Sequence, residues 1–516
     1  MALSIDYNQS LLHQCSKHAF TRQLAQSDQR HTFKRATSSS DNPKIPDPSL
    51  FNFHSDSSVQ VESRRLPTVA ECAAHLELLQ AFRHIRIQVQ TSTKLDNALG
   101  IKPKTRIVYR KRRVYQGYKS NWIREEVKLG DETFEKRRGS KWPLYLKLAA
   151  ARFLSWIDFV EDEFNQPSMP NQSLRVPPID ILMVWHAFLL NPEWFRSFKQ
   201  RKLEYLSTVP FPWDQIHAAI DSENRHWPFK LSEEDQAWFQ EKTLLHPDLF
   251  GFLTKADKSP VVRNCLAIHG RKSRHVNEIR GLILKDIPKV SGNAALDLAE
   301  FKFLDCCRVA LSSDDTVKSL VDAVERQSAF VEKMEKQLWI RSPAVEGTLS
   351  RGIIRYERFL KLFKLYPKKM LVPTLDIDLV WHTHQCSPSH YGLATTERAG
   401  RFIDHNDKLG TQTLNPAFED TKALYRIRFA DEYQTCLCWD CEALRSTIAS
   451  ENNNSQTSSA SIAQEASSKV TYYRAVEIAR QKGEELLPIY STQKDEGFLY
   501  DNYHLVASKL DDLGRV

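Results

Sequence analysis

The strongest constraint on the fold is a segment that occurs twice. Pro177-Pro178-Ile179-Asp180-Ile181-Leu182-Met183-Val184-Trp185-His186 returns as Pro373-Thr374-Leu375-Asp376-Ile377-Asp378-Leu379-Val380-Trp381-His382. The same shift of 196 residues (Trp185 to Trp381) sets Pro192 on Pro388 and Phe195 on Tyr391. Upstream, Arg152-Phe153-Leu154 parallels Arg358-Phe359-Leu360, with the intervening loop longer in the first copy. Each copy reads as a helix carrying Arg-Phe-Leu, a loop, and the Asp…Trp-His segment. Asp180 and Asp376 stand where an N-cap would accept the free N–H groups of a new helix. That helix must end before Pro192 or Pro388, because proline cannot continue it. Asn191-Pro192 and Ser387-Pro388 then read as N-cap and N1 proline of the next helix. The expectation is a mostly α chain of two tandem helical modules related by internal duplication, each with a sharp helix–helix corner, plus a disordered N-terminal leader and a C-terminal linker.

A chain of 516 residues exceeds one core, and two or three domains are expected. Residues 1–60 carry polar residues and prolines without periodicity and read as the disordered leader. Module 1 is placed at 65–255, a connector at 256–299 and module 2 at 300–446. A Ser/Asn/Gln-rich linker follows at 447–470, then a short amphipathic helix and tail at 471–516. Order begins at Pro67, where Thr68 and Glu71 have capping-box spacing. Cys72, Leu76, Leu79, Phe82, Ile85 and Val89 recur at steps of three and four, one apolar stripe of a helix. Further helices are expected from Trp142, from Thr316 and over Ile353–Tyr366.

Only 16 glycines argue against a turn-rich β protein. No window approaches the roughly 18 uninterrupted apolar residues of a membrane span, so no membrane association is expected. Nine unevenly spread cysteines do not form a disulfide framework and point to the cytoplasm or nucleus. No nucleophile elbow, phosphate loop or dinucleotide fingerprint occurs, and no catalytic or cofactor-binding residue can be named.

The net charge of +8 is unevenly distributed. From Lys102 to Arg113 seven of twelve residues are basic, and Lys136-Arg137-Arg138 follows. Such a run, with Tyr109, Tyr115, Tyr118 and Trp122 interleaved, could serve nuclear import or nucleic-acid binding across 102–141, or form a solvated loop or helix face.

The second copy is more polar than the first. Asp378 replaces Leu182 and His384 replaces Phe188, with Asp404, His405 and Asp407 downstream. On a helix Asp378 and His382, at i and i+4, share a face, while His384 points elsewhere. A metal site would need a subset of these plus the Asp404-His405-Asp407 segment, and zinc or non-haem iron suits such N/O donors. Because His186 recurs without partners equivalent to Asp378 and His384, packing explains the Trp-His pairs without a metal. Cys436, Cys438 and Cys441 form a C-x-C-x-x-C cluster that could bind zinc or iron, with Cys386 a further contributor, or be buried helix cysteines.

Several strings make the chain resemble the glycine-rich domain-containing protein-like (GRDP-like) family of plants and fungi over roughly residues 65–445. They are Glu71-Cys72-Ala73-Ala74-His75-Leu76-Glu77-Leu78-Leu79, the two Trp-His repeats, Phe211-Pro212-Trp213, Arg401-Phe402-Ile403-Asp404-His405-Asn406-Asp407 and Cys436-Leu437-Cys438-Trp439-Asp440-Cys441. The resemblance implies no reaction. Plant members are linked to development and stress responses, and some carry a glycine-rich tract or an RNA-recognition domain; this sequence has neither. Some fungal members bear dioxygenase-like labels, but there is no His-x-Asp on a strand here to carry that chemistry over.

The reading that follows is a non-catalytic interaction or regulatory scaffold, with a groove between two helical modules and an unidentified protein partner. The alternative is a metal-dependent enzyme with its site in module 2. A third reading is nucleic-acid binding through the basic segment.

Overall fold

A computed structural model describes residues 44–53, 65–164, 174–198, 203–255, 262, 266, 297–312, 314–405, 411–451 and 459–483. The fold is mostly α. In order come α1 (Val69–Thr91), α2 (Thr93–Ala98), strands β1 (Arg106–Gln116) and β2 (Lys119–Leu129), α3 (Phe134–Gly139) and α4 (Lys141–Phe164). Then follow α5 (Ile179–Leu189), α6 (Pro192–Arg196), α7 (Trp213–Ala219), α8 (Glu233–Thr243) and α9 (Leu249–Thr254). The later part holds α10 (Leu298–Leu311), α11 (Asp315–Gln337), α12 (Val345–Leu365), α13 (Leu375–Gln385), α14 (Pro388–Ala399), α15 (Thr411–Phe429), α16 (Trp439–Glu451) and α17 (Ser459–Lys482).

The start of α1 is fixed by the expected capping box: Thr68 accepts from the Glu71 amide and Glu71 reaches back to the Thr68 amide. Its apolar stripe is buried, but so is every residue from Ala70 to Phe82, Glu71, His75 and Glu77 included. A one-sided stripe would suit a surface helix. Here α1 is central, packed against α4 and α7 and also against α11, α12 and α13. Helices from both halves contribute to one continuous apolar interior.

The repeated segments form two eleven-residue helices, α5 and α13, each followed by a helix with proline in its first turn. The aspartates do not cap them. The N-caps are Pro178 and Thr374, and Asp180 and Asp376 lie inside the first turn. Each instead accepts from an arginine: the buried Arg152 Nε to Asp180 Oδ2 at 2.6 Å, and the partly buried Arg355 Nε to Asp376 Oδ2 at 2.7 Å. A charge in the dry interior needs a partner more than a helix end needs a cap. The partner in the second half is thus Arg355, one turn before Arg358, which reaches Asp431 instead.

Two further segments differ from expectation. Within the stretch read as a leader, residues 44–53 are packed on the core: Pro48–Phe51 makes a 3-10 turn, the Ile45 carbonyl accepts from Arg341, and Phe51 stacks on His217 at 3.6 Å. Within the stretch read as a linker, α17 begins at Ser459. The rest of the leader, most of the 256–299 connector and residues 484–516 lie outside the described residues.

Most of the basic segment is neither loop nor helix but a hairpin, while Lys136-Arg137-Arg138 lie in α3. β1 and β2 pair antiparallel from Arg106↔Leu129 to Gln116↔Lys119. Their two-residue loop places Gly117 at φ +60, the left-handed region that a tight hairpin turn reserves for glycine. No described side chain of either strand is buried.

Candidate functional site

Two features meet where the α5–α6 and α13–α14 corners face each other. The first is a groove of about 810 Å³ lined by residues of both corners, among them Pro192, Phe195, Arg196, Pro388, Tyr391, Leu393 and Phe402. The paired prolines and the Phe195/Tyr391 pair therefore stand on its two walls. Its lining is mainly apolar, and Leu393 is 44% exposed. Arg196 lies over the Phe402 ring at 4.2 Å. Tyr391 is fixed beneath it by accepting from Trp381 Nε1 (2.9 Å) and donating to the Ile403 carbonyl (2.6 Å).

The second feature lies under that wall. Asp378 and His382 do share one face of α13, and the 402–405 segment folds back so that His405 joins them. His382 Nε2 and His405 Nε2 are 3.2 Å apart, and Asp378 Oδ1 is 3.5 and 3.8 Å from them. All three residues are at most 2% exposed. Their ligand atoms lie within 4.8 Å of one another, so the group could hold a metal ion. Burial pushes the Asp378 carboxyl up to about 6, and Lys333 opposes that shift. Burial holds the His382 imidazole well below its ordinary range.

The remaining candidates lie elsewhere. His384 points away, as helical spacing requires, and its Nδ1 meets the Tyr356 hydroxyl at 3.0 Å; burial pulls its imidazole down to about 3. Asp404 accepts from the Glu193 amide at the start of α6, tying its segment to the first corner. Asp407 lies outside the described residues. Cys436, Cys438 and Cys441 form a separate group, with Cys436 Sγ and Cys438 Sγ 3.3 Å apart; Cys386 is not part of it. Hydrogen bonds from Cys436 and Cys438, then burial, raise the Cys441 thiol; this group too could hold a metal ion, which would itself deprotonate the thiols.

Sequence reasoning missed His75. Its Nδ1 lies 2.8 Å from Thr383 Oγ1 and its Nε2 lies 2.9 Å from His186 Nε2. Thr383 donates its own hydroxyl proton to the Leu379 carbonyl. It therefore accepts from His75 Nδ1–H, which leaves the His75 Nε2 lone pair facing His186. His186 thus has a buried packing partner, as its recurrence suggested. Among the described residues no helix is long and apolar enough to cross a membrane.

Comparison with known proteins agrees with the resemblance. Residues 293–393, which include all of α13, match the family model described as glycine-rich domain-containing protein-like. Glycine-rich domain-containing protein 1 of Arabidopsis thaliana is 26% identical over 283 residues, 52% of this chain and 27% of that protein. Glycine-rich domain-containing protein 2 of the same plant is 30% identical over 149 residues, 27% of this chain and 17% of that protein. The matches thus span a minor part of these relatives' lengths. No solved structure matches the chain. What the chain shares with the glycine-rich domain-containing protein-like family is thus a match over residues 293–393 and similarity to two of its plant members.

Proposed function

We propose that this protein is a non-catalytic interaction scaffold that holds a short, apolar segment of a protein partner in the groove between its two corners. The observation that carries this reading is the groove itself: about 810 Å³, mainly apolar, and built from matching positions of two repeated segments. Two similar segments whose corners face each other would each supply one wall of such a groove. Apolar walls with a few polar groups at the rim suit an amphipathic peptide. Arg196 and Glu204 would fix its direction.

The test is selection of random sixteen-residue peptides on the full chain, with a Leu393→Asp variant as counter-selection. Leu393 is exposed, so the change leaves the fold intact and puts a charge on the groove wall. The reading expects apolar peptides that bind the unaltered chain and lose at least about tenfold in affinity, 1.4 kcal/mol, on the variant. Binders indifferent to Leu393→Asp, or no binders, would refute it.

The hairpin supports a second reading, nucleic-acid binding. Its register puts Tyr109, Lys111, Arg113 and Tyr115 on one face with Trp122, Arg124 and Lys128. Arg124 lies over Tyr109 at 4.3 Å, and Arg113 near both Tyr115 and Trp122. Exposed rings between cations suit stacked bases and a phosphate backbone.

A further inference from the structure

We propose that Asp378, His382 and His405 form a four-coordinate zinc site beneath the corner, with a water molecule completing the coordination. The inference stands apart from the groove reading and can fail without it.

The spacing of the donors carries it. Asp378 Oδ1 lies 3.5 Å from His382 Nε2 and 3.8 Å from His405 Nε2. Both are longer than the roughly 2.7–3.2 Å of a hydrogen bond. With the 3.2 Å between the two nitrogens, these distances describe a triangle. A tetrahedral ion would stand about 0.7 Å out of its plane, on the side of the water, and so roughly 2.1–2.2 Å from each corner, close to zinc–nitrogen and zinc–carboxylate bond lengths. The edges also match the roughly 3.4 Å that separates ligands on a tetrahedron with such bonds. An octahedral ion with bonds of similar length needs adjacent ligands nearer about 3.0 Å, so zinc fits better than iron.

The orientation of His405 agrees. Its Nδ1 lies 3.3 Å from the Leu190 carbonyl, which can only accept. Nδ1 therefore carries the proton and the Nε2 lone pair faces Asp378 and His382. A carbonyl on the far nitrogen is how metal-binding histidines are held. Leu190 belongs to the first corner, so an ion here would pin the 402–405 segment between the corners.

The first half lacks such a site for a visible reason. His186 occupies the position of His382, but Leu182 replaces Asp378, and His75 faces His186 with no carboxylate between them. The groove is lined by Gln385 and Tyr391 rather than by the three donors. Trp381 and Phe330 lie against the imidazoles, with ring centres 4.9 and 4.4 Å away. The setting therefore favours a structural over a catalytic ion.

The test is metal analysis of the purified full chain, followed by stripping with a chelator and titration with zinc chloride. About one equivalent of zinc is expected, bound again after stripping. Asp378→Leu, which copies the first half's Leu182, should abolish it. His384→Phe and Cys441→Ser should retain it. Titration of the stripped chain with cobalt(II) gives a readout that needs no variant. The site predicts the visible absorption of a tetrahedral N/O complex without the near-ultraviolet band of a thiolate ligand. A thiolate band, or zinc lost in Cys441→Ser but kept in Asp378→Leu, would move the metal to the cysteine cluster and overturn the proposal. Iron in place of zinc would overturn the choice of ion. No binding of either probe would leave a histidine pair that shares a proton and no metal centre.

Discussion

Replacing Arg152 by methionine tests how the corners are held. Arg152 is 2% exposed; it donates to Asp180 at 2.6 Å and to the His246 carbonyl at 2.7 Å. Burial raises the Asp180 carboxyl and the guanidinium opposes that rise. Methionine fills much of the same space but leaves Asp180 without its counter-charge, a loss of about 3–5 kcal/mol. Adding Asp180→Leu removes the stranded charge, and replacing both partners of a buried pair by apolar groups is close to neutral. The Arg152→Met/Asp180→Leu variant should therefore recover most of the loss. Urea unfolding followed by tryptophan fluorescence measures both, because Trp156 and Trp185 are buried on the two helices that carry the pair. A single variant costing less than about 1 kcal/mol, or a double variant no better than the single, would refute the claim that a desolvated ion pair fixes this corner.

Three further outcomes are expected. His75, His186, His382 and His384 are buried with imidazoles held below the ordinary range, so the unfolded chain binds protons below about pH 6.5 that the folded chain does not. Their stabilisation is complete above that pH and falls by up to about 1.4 kcal/mol per histidine per pH unit below it. Asp378, raised to about 6, works in the opposite sense between its unfolded value and 6 without outweighing four histidines. Thermal midpoints unchanged from pH 7 to pH 5 would contradict this. His384→Phe should cost about 1–3 kcal/mol, although Phe188 fits the equivalent place, because the buried Tyr356 hydroxyl loses its partner; calorimetry checks it. If the hairpin face binds single-stranded RNA, affinity should fall steeply with salt, and Arg113→Glu/Arg124→Glu should abolish it; salt-independent binding would exclude phosphate contacts.

What could be read from the sequence was local. The Thr68/Glu71 capping box, the stripe of α1, the proline corners and the common face of Asp378 and His382 each depend on neighbours within a turn or two. The need for the 404–407 segment to complete any site at Asp378 followed from the geometry of one helix. What was missed depended on contacts distant in sequence. His75 is paired with a residue 111 positions away and with another 308 positions away, and helix periodicity carries no trace of either. Asp180 and Asp376 looked like caps because aspartate favours helix starts; only the fold reveals that arginines on α4 and α12 claim them. The hairpin was hidden by its charge. Its alternation of Ile107, Tyr109 and Tyr115 with basic residues marks a strand exposed on both faces, and Gly117 marks the turn, but a dense charge run masks both signals.

The central claim, that the groove between the corners takes a peptide, is tested most directly at Gly392. This residue lies in α14 and lines the groove, and a Cβ added there would meet nothing within 4 Å. Gly392→Leu therefore puts bulk into the groove from a position whose Cβ is uncrowded. It also replaces glycine by a better helix former, which favours the fold by roughly 0.5–1 kcal/mol. The measurement is the affinity of one selected peptide for the unaltered chain and for this variant, with thermal midpoints alongside. The account predicts a midpoint equal or higher and binding weakened at least about tenfold. Full affinity in a variant of unchanged or greater stability would contradict it.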